Sequence, residues 1–232
     1  MGMFLRRGEA PHRTRLGDLE VGSTVKINVN GTPREFLVVH QGLPSSLYDE
    51  SCDGTWLLMK DLYTGYFAWN SSSRNNRYAS STINSYLNGT FLELLDSDIK
   101  SAVKDAKIPY VAGTGGSAVA SGANGLQCKV FLLGGYEVGW TNSNNSSFPA
   151  DGAKLNYFEN GSSAAANNKR IALRNGSGGS WWIRSPYSGS QQAFYVSKTG
   201  GYDYGYTDNT IGIRPAFILP SDFILTDDML AA

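Results

Sequence analysis

The sequence predicts a loop-rich α+β domain with two short helices and small, twisted antiparallel sheets. Three observations point there. Short apolar runs of strand character recur from Val21 onward, separated by turn residues. One stretch, Ser80 to Val103, repeats its apolar residues at helical spacing. Gly, Ser and Asn supply 70 of the 232 residues, a share that favours many loops over long regular elements. A chain of this length buries roughly 70–75% of its unfolded surface, so one core suffices. A single domain over residues 16–232 is expected, preceded by a basic arm.

The elements follow in chain order. Met1 to Arg15 carries Arg6, Arg7, Arg13 and Arg15 and lacks the apolar run of a signal peptide, so it reads as a frayed arm. Val25, Ile27 and Val29 alternate with Thr24, Lys26 and Asn28, the period of a half-buried strand. Asn30-Gly31 is a strong hairpin signal, and Phe36 to Val39 is the return strand. Trp56 to Met59 is a short buried strand. Ile83, Tyr86, Leu87, Phe91, Leu94 and Leu95 form one helical stripe, with Ser80 or Ser81 as cap and Asn88-Gly89 as a break or kink. Asp96 or Ser97 caps a second short helix, which Pro109 stops. Gly113 to Gly125 reads as a flexible loop, and Lys129 to Leu133 as a strand. Trp140 to Asn168 reads as long surface loop with Tyr157-Phe158 as its one apolar anchor. Trp181 to Ser185 and Ile211 to Leu219 are the last strands.

Composition removes several function classes. Twenty basic and twenty acidic residues leave no net charge, which argues against non-specific nucleic-acid binding. No apolar run approaches the roughly 20 residues that span a bilayer, so no membrane insertion is expected. Cys52 and Cys128 read as two buried thiols rather than a disulfide framework, and His12 and His40 are too few for a histidine metal site. No cofactor and no metal is expected.

The motifs that suggest chemistry are incomplete. Gly113-Thr114-Gly115-Gly116-Ser117 lacks the Lys-Ser/Thr that a phosphate loop needs. Gly178-Gly179-Ser180-Trp181-Trp182 lacks the last glycine of a nucleophile elbow. Sequons at Asn30, Asn70, Asn88, Asn144, Asn145, Asn160 and Asn175 follow from the Asn and Ser content. Asp203 and Asp208 flank tyrosines without the apolar shielding that separates two carboxyl pKa values. Calcium binding by Asp and Asn oxygens stays open, and there is no EF-hand pattern. No catalytic residue is expected.

Tyr187 to Ile211 is the informative segment. Tyr, Ser, Gly, Asp and Asn fill 15 of its 25 positions, the vocabulary of a binding surface: tyrosine gives amphipathic contact area with few rotors, and the small polar residues adapt. Alternation places Phe194 and Val196 toward a core and Ala193, Tyr195 and Ser197 outward. Gly200-Gly201 is a turn, after which Tyr202, Tyr204 and Tyr206 share a face. The candidate ligand-contacting set is Tyr187, Ser188, Ser190, Tyr195, Ser197, Tyr202, Asp203, Tyr204, Tyr206, Asp208, Asn209 and Ile211.

Leu173 to Trp181, with its Gly178-Gly179-Ser180-Trp181, and Ile211-Gly212-Ile213-Arg214-Pro215-Ala216 resemble the formylglycine-generating-enzyme-like branch of the C-type lectin fold. Trp181 to Pro186, Gly212 to Ala216, Ser81 to Leu95, Lys129 to Leu133 and Glu137-Val138-Gly139 look like an uncharacterised domain family of gut bacteria and their phages. The resemblance covers about Leu16 to Phe223. It implies a variable protein of a diversity-generating retroelement, in which adenine mutagenesis of Asn codons rewrites surface positions. Every member of the candidate set is reachable from such a codon; Gln191, Gln192 and Lys198 are not. The implied partner is a protein or cell-surface ligand, and the implied location a phage tail or bacterial surface. Oligomeric state stays open. The alternative is a non-diversified structural or adhesive domain of a phage tail or bacterial surface. An oxidase of the formylglycine-generating type is third, since no cysteine follows Cys128. In this frame Trp181, Trp182, Ile183 and Ile213 to Leu219 are scaffold, Arg184 and Arg214 are buried or half-buried ion-pair and carbonyl-binding groups, and Pro215 lies at an edge or bulge.

Overall fold

The computed structural model describes residues 13–115 and 118–230. Its organising element is a five-stranded antiparallel sheet built from β1 (Thr24–Val29), β2 (Thr32–Gln41), β3 (Thr55–Met59), β4 (Val130–Phe131) and a late strand, Ala216–Leu219. A second sheet joins β5 (Trp181–Pro186), β6 (Gln192–Val196) and β7 (Tyr202–Tyr206). With the late strand as β8, the large sheet runs β1-β2-β3-β8-β4. Mixed helix and strand content in small antiparallel sheets makes this an α+β domain.

Both faces of the large sheet are buried through β3, β8 and the second half of β2, while β1 buries one face. Phe36, Val38, Leu57, Met59, Phe217 and Leu219 enter one core, and Leu37, Val39, Trp56, Leu58, Ala216 and Ile218 enter the other. Two-sided burial explains why these strands read as continuous apolar runs instead of alternating ones. The β1–β2 hairpin turns at Asn30 (φ 52°) and Gly31 (φ 67°), the double positive-φ turn that Asn-Gly favours.

The first core is closed by the helical stripe. Ser81 accepts the Asn84 N–H and caps α1 (Thr82–Tyr86), and a π-turn over Leu87–Phe91 continues it. The kink expected at Asn88-Gly89 is this π-turn, stabilised by Asn88, whose Oδ1 accepts the N–H groups of Lys129 and Val130. After α2 (Ser97–Ala102) the chain enters the second core.

Several expectations are corrected. A third helix, α3 (Ala164–Arg170), lies in the stretch read as loop, capped by the Ser163 hydroxyl on the Ala166 N–H. Trp140, Phe148, Leu155, Phe158 and Ala166 are all buried, so 140–168 is a wall of the second core and not a surface loop. Its polar residues are used on main-chain bonds: Asn144 accepts from Thr141 N–H and Asn145 from Ser147 N–H. Within 113–125 the chain forms a short ladder, Tyr110–Val111 with Val119–Ala120, and a 3-10 turn at Gly122–Asn124. Ile211 to Leu219 is not one strand; Thr210–Ile211 pairs with Phe67–Ala68, and β8 begins at Ala216. Pro215 therefore sits at the entrance of a central strand, not at an edge or in a bulge, and its carbonyl accepts the Met59 N–H. Ala193 is buried in the first core, so the face it shares with Tyr195 is covered at Ala193, which does not face out, and is partly open at Tyr195.

Residues 1–12, with Arg6, Arg7 and His12, lie outside the described residues. Arg13 to Arg15 do not fray: Thr14 C=O accepts the Leu225 N–H and Arg15 bridges Ile224. Among the described residues no helix is long and apolar enough to cross a membrane.

Candidate ligand-binding surface

β5, β6 and β7 carry the candidate segment. β6 and β7 are joined by Lys198-Thr199-Gly200, a three-residue loop with Gly200 at φ 82°, closed by Ser197 N–H on Gly201 C=O at 2.7 Å. A Cβ on Gly200 would lie 2.0 Å from the Asn167 carbonyl, so the turn admits glycine alone. Arg170, buried in α3, donates from Nε to the Gly200 carbonyl at 3.0 Å and pins the hairpin to the second core.

The structure divides the twelve candidates into groups. Tyr202, Tyr204 and Tyr206 pair with Val196, Phe194 and Gln192 and share their face, as the alternation predicts. They are not equivalent. Tyr202 is half-buried, packs edge-on against Trp140 and Phe148, and donates its hydroxyl to the Asn144 carbonyl at 2.7 Å. Tyr204 and Tyr206 are 39% and 43% exposed. Tyr187, half-buried, stacks on Tyr204 with ring centroids 3.8 Å apart and stands edge-on to Phe194. Tyr206 lies under the Arg74 guanidinium, which also pairs with Asp208 at 2.7 Å.

Tyr195 and Asp203 occupy the opposite face. The Tyr195 hydroxyl donates to Asp203 Oδ2 at 2.8 Å, and its ring meets Trp182 edge-on. Partial burial, then the Asp203 carboxylate, pushes the Tyr195 phenol up to about 12, so it stays a donor at neutral pH. Ile211 lies with Tyr195, Tyr66 and Lys198 along an open groove of about 370 Å³. Ser188 and Ser190 are exposed in the β5–β6 loop, Ser197 starts the β6–β7 turn, and Asn209 closes the turn after β7 through its N–H on the Tyr206 carbonyl. The set thus forms one aromatic patch at β7, one separate groove, and loop residues between them.

The residues that hold this surface come from far away in sequence. Asn76 is fully buried, and its Nδ2 donates to the carbonyls of Tyr187, Gly189 and Gln192 at 3.1, 3.1 and 2.8 Å. Its main-chain N–H donates to Ser190, and Asn70 N–H donates to Thr207. In the sequence Asn70 stands out only as a sequon, and nothing marks Arg74 or Asn76. The run Asn70 to Asn76 carries no local signal for a partner more than a hundred residues away.

Beneath β5 lies a buried polar hub. Arg184 and Glu137 are paired at 2.6 and 2.7 Å, and Ser185 donates to Asp151. Arg214 is buried too, donating to the carbonyls of Met59 and Lys60. Burial drives both arginine roles toward structure: neither side chain reaches the surface. Cys52 and Cys128 are free and buried; burial raises both thiols, Cys52 to about 12, and holds them protonated. Among the described residues no group of three or more His, Cys, Asp or Glu is placed to hold a metal ion.

A family model described as Domain of unknown function (DUF6273) matches residues 53–221. That span takes in β3 to β8, the Arg184–Glu137 hub, Asn76 and the whole of the tyrosine patch. No curated protein and no solved structure matches the chain. With most of its length inside that match, the chain belongs to the DUF6273 family.

Proposed function

We propose that this protein is a non-enzymatic ligand-binding protein whose β7 tyrosine patch contacts a protein or cell-surface partner. One observation carries the reading. Exposed Tyr204, stacked on half-buried Tyr187, and exposed Tyr206, lying under Arg74, form an aromatic patch on a sheet whose neighbouring residues Phe194, Val196, Trp181 and Ile183 are wholly buried. A rigid frame under adaptable aromatic and small polar side chains is the arrangement of a recognition surface. The C-type lectin type of scaffold, diversification by a retroelement and display on a phage tail or bacterial surface are part of the proposal. They are supported by the sequence resemblance and by the codon-reachable character of the exposed set.

Two experiments test it. The gene neighbourhood should hold a reverse transcriptase and a near-copy template differing at adenines under Tyr187 to Ile211. If neither is found, diversification is withdrawn and the adhesive alternative takes its place. Separately, labelled wild-type protein and a Tyr187→Ala/Tyr204→Ala/Tyr206→Ala variant are compared on a glycan array and a displayed peptide library. Binding should be lost in the variant while its thermal transition remains cooperative and falls by only about 4–8 °C. Equal binding by both proteins on both probes rules out the patch as the contact surface.

A further inference from the structure

β7 is an edge strand, and its register decides which of its main-chain groups face outward. Ser197 N–H donates to Gly201 C=O, and Thr207 N–H to Gln191 C=O. Both pairs extend the register in which Tyr195 faces Asp203 and Ala193 faces Gly205. Hydrogen-bonded and non-bonded pairs alternate along an antiparallel ladder. Asp203 and Gly205 therefore direct their N–H and C=O groups to β6. Tyr202, Tyr204 and Tyr206 direct theirs away from it. Among the described residues no strand pairs with that edge. Its contacts are local: Tyr204 N–H meets Asp203 Oδ1 at 2.8 Å, and Tyr206 C=O accepts the Asn209 N–H at 2.9 Å.

We propose that this edge receives an extended peptide strand of a partner protein, hydrogen-bonded to the main chain of Tyr202, Tyr204 and Tyr206. The inference rests on the reading of β7 as a binding surface and sharpens it to one class of partner. The same three residues supply both recognition elements. Their main chains offer a ladder edge, and the Tyr204 and Tyr206 rings, with Tyr187, offer an apolar face to alternate side chains of the incoming strand.

Charge selects the occupant. Asp208 is answered by Arg74, but among the described residues no Lys or Arg lies within ion-pair distance of Asp203, whose Oδ2 accepts only the neutral Tyr195 hydroxyl. A second copy pairing its own β7 antiparallel about Tyr204 would place two Asp203 carboxylates at diagonal positions about 7–8 Å apart, an unfavourable arrangement. A strand with Lys or Arg beside Asp203 and apolar residues over Tyr187 and Tyr204 satisfies both faces.

The test is selection of displayed peptides about ten residues long, followed by hydrogen exchange on the complex with one synthetic selected peptide. The amides of Tyr202, Tyr204 and Tyr206 should each gain about tenfold or more in protection, while those of Asp203 and Gly205, already bonded to β6, should not change. Tyr204→Pro removes an outward N–H without touching a β6 bond, and should bind about tenfold more weakly than Tyr204→Ala. A peptide that needs the three patch tyrosines yet leaves those amides exchanging as before overturns the strand mode and leaves the surface reading standing. So does glycan binding by the patch with no peptide selected. Protection of the same amides that rises with protein concentration alone assigns the edge to a second copy and overturns the peptide proposal. Loss of the surface reading has its own signature, equal binding by wild type and the triple alanine variant.

Discussion

Arg184 grips Glu137 through two bonds, Nη1 to Oε2 at 2.6 Å and Nη2 to Oε1 at 2.7 Å, with both side chains wholly out of water. The remaining guanidinium hydrogens go to the carbonyls of Pro109, Leu132 and Asp151, so all five donors are placed. Glu137 also accepts from the Tyr48 hydroxyl and the Gly134 N–H. Burial opposes the guanidinium charge, and the Glu137 carboxylate more than offsets it, holding Arg184 above the usual arginine value. The pair ties β5 to the 109, 132 and 151 segments, which fixes the sheet that carries the patch.

Removing one partner should strand the other charge in the core. Arg184→Met or Glu137→Gln is expected to cost about 3–5 kcal/mol in urea unfolding. The double variant should cost clearly less than the two singles together, because no isolated charge remains. Additive losses would mean that the two side chains act through their separate carbonyl and hydroxyl contacts instead.

Asp151 gives the hub a pH dependence. Burial pushes its carboxyl up to about 6, against partial relief from Arg184 and Ser185. A carboxyl raised in the folded state binds protons more tightly folded than unfolded. Its contribution is therefore fully present below the unfolded value near 3.8 and is lost as pH rises through about 6. The swing is on the order of 2–3 kcal/mol. Asp151→Asn should remove it: the difference in stability between wild type and variant, followed by denaturation from pH 4 to 7, should shrink in the wild type's disfavour as pH rises. A flat difference would place Asp151 ionised throughout.

The patch tyrosines should separate in a stability series. Tyr202→Ala opens a gap against Trp140 and Phe148 and orphans the Asn144 carbonyl, so a loss of about 2–4 kcal/mol is expected. Tyr204→Ala and Tyr206→Ala touch exposed rings and should stay within about 0.5–1 kcal/mol of wild type. A large loss at Tyr204 or Tyr206 would make them core residues and remove them from the contact surface.

What could be read in the sequence depended on range. The β1–β2 hairpin, the Trp56 to Met59 strand and the Ser81-capped helix are written in local period and turn chemistry, and they fold as read. The scaffold roles of Arg184 and Arg214 followed from the resemblance, which sets both in strands of the frame, and both are buried. Residues 140–168 were misread because their apolar residues are spaced irregularly and their Asn and Ser side chains cap turns, which resembles loop composition. The orientation of Ala193 was missed since alternation names two faces but not whether both are covered. The tyrosine patch was legible as composition; its open edge was not, because pairing register is a property of two strands.

Asn76 is where long-range structure most directly shapes the proposed surface. A single buried amide nitrogen serves the carbonyls of Tyr187, Gly189 and Gln192, and its Oδ1 accepts the Gly115 N–H at 3.3 Å. Asn76→Asp is nearly isosteric but turns the donor into an acceptor facing three carbonyls. It should therefore loosen the Tyr187 to Gln192 loop more than Asn76→Ala, which leaves carbonyls that water can reach. Hydrogen exchange should quicken at Ser190 and Gln192, the Tyr187–Tyr204 stack should open, and affinity for a selected peptide should fall about tenfold. The β1–β2 hairpin, remote from this clamp, should keep its protection in both variants. If exchange in the loop is unchanged by Asn76→Asp, the loop is held by its own turn, and the clamp has no part in shaping the surface.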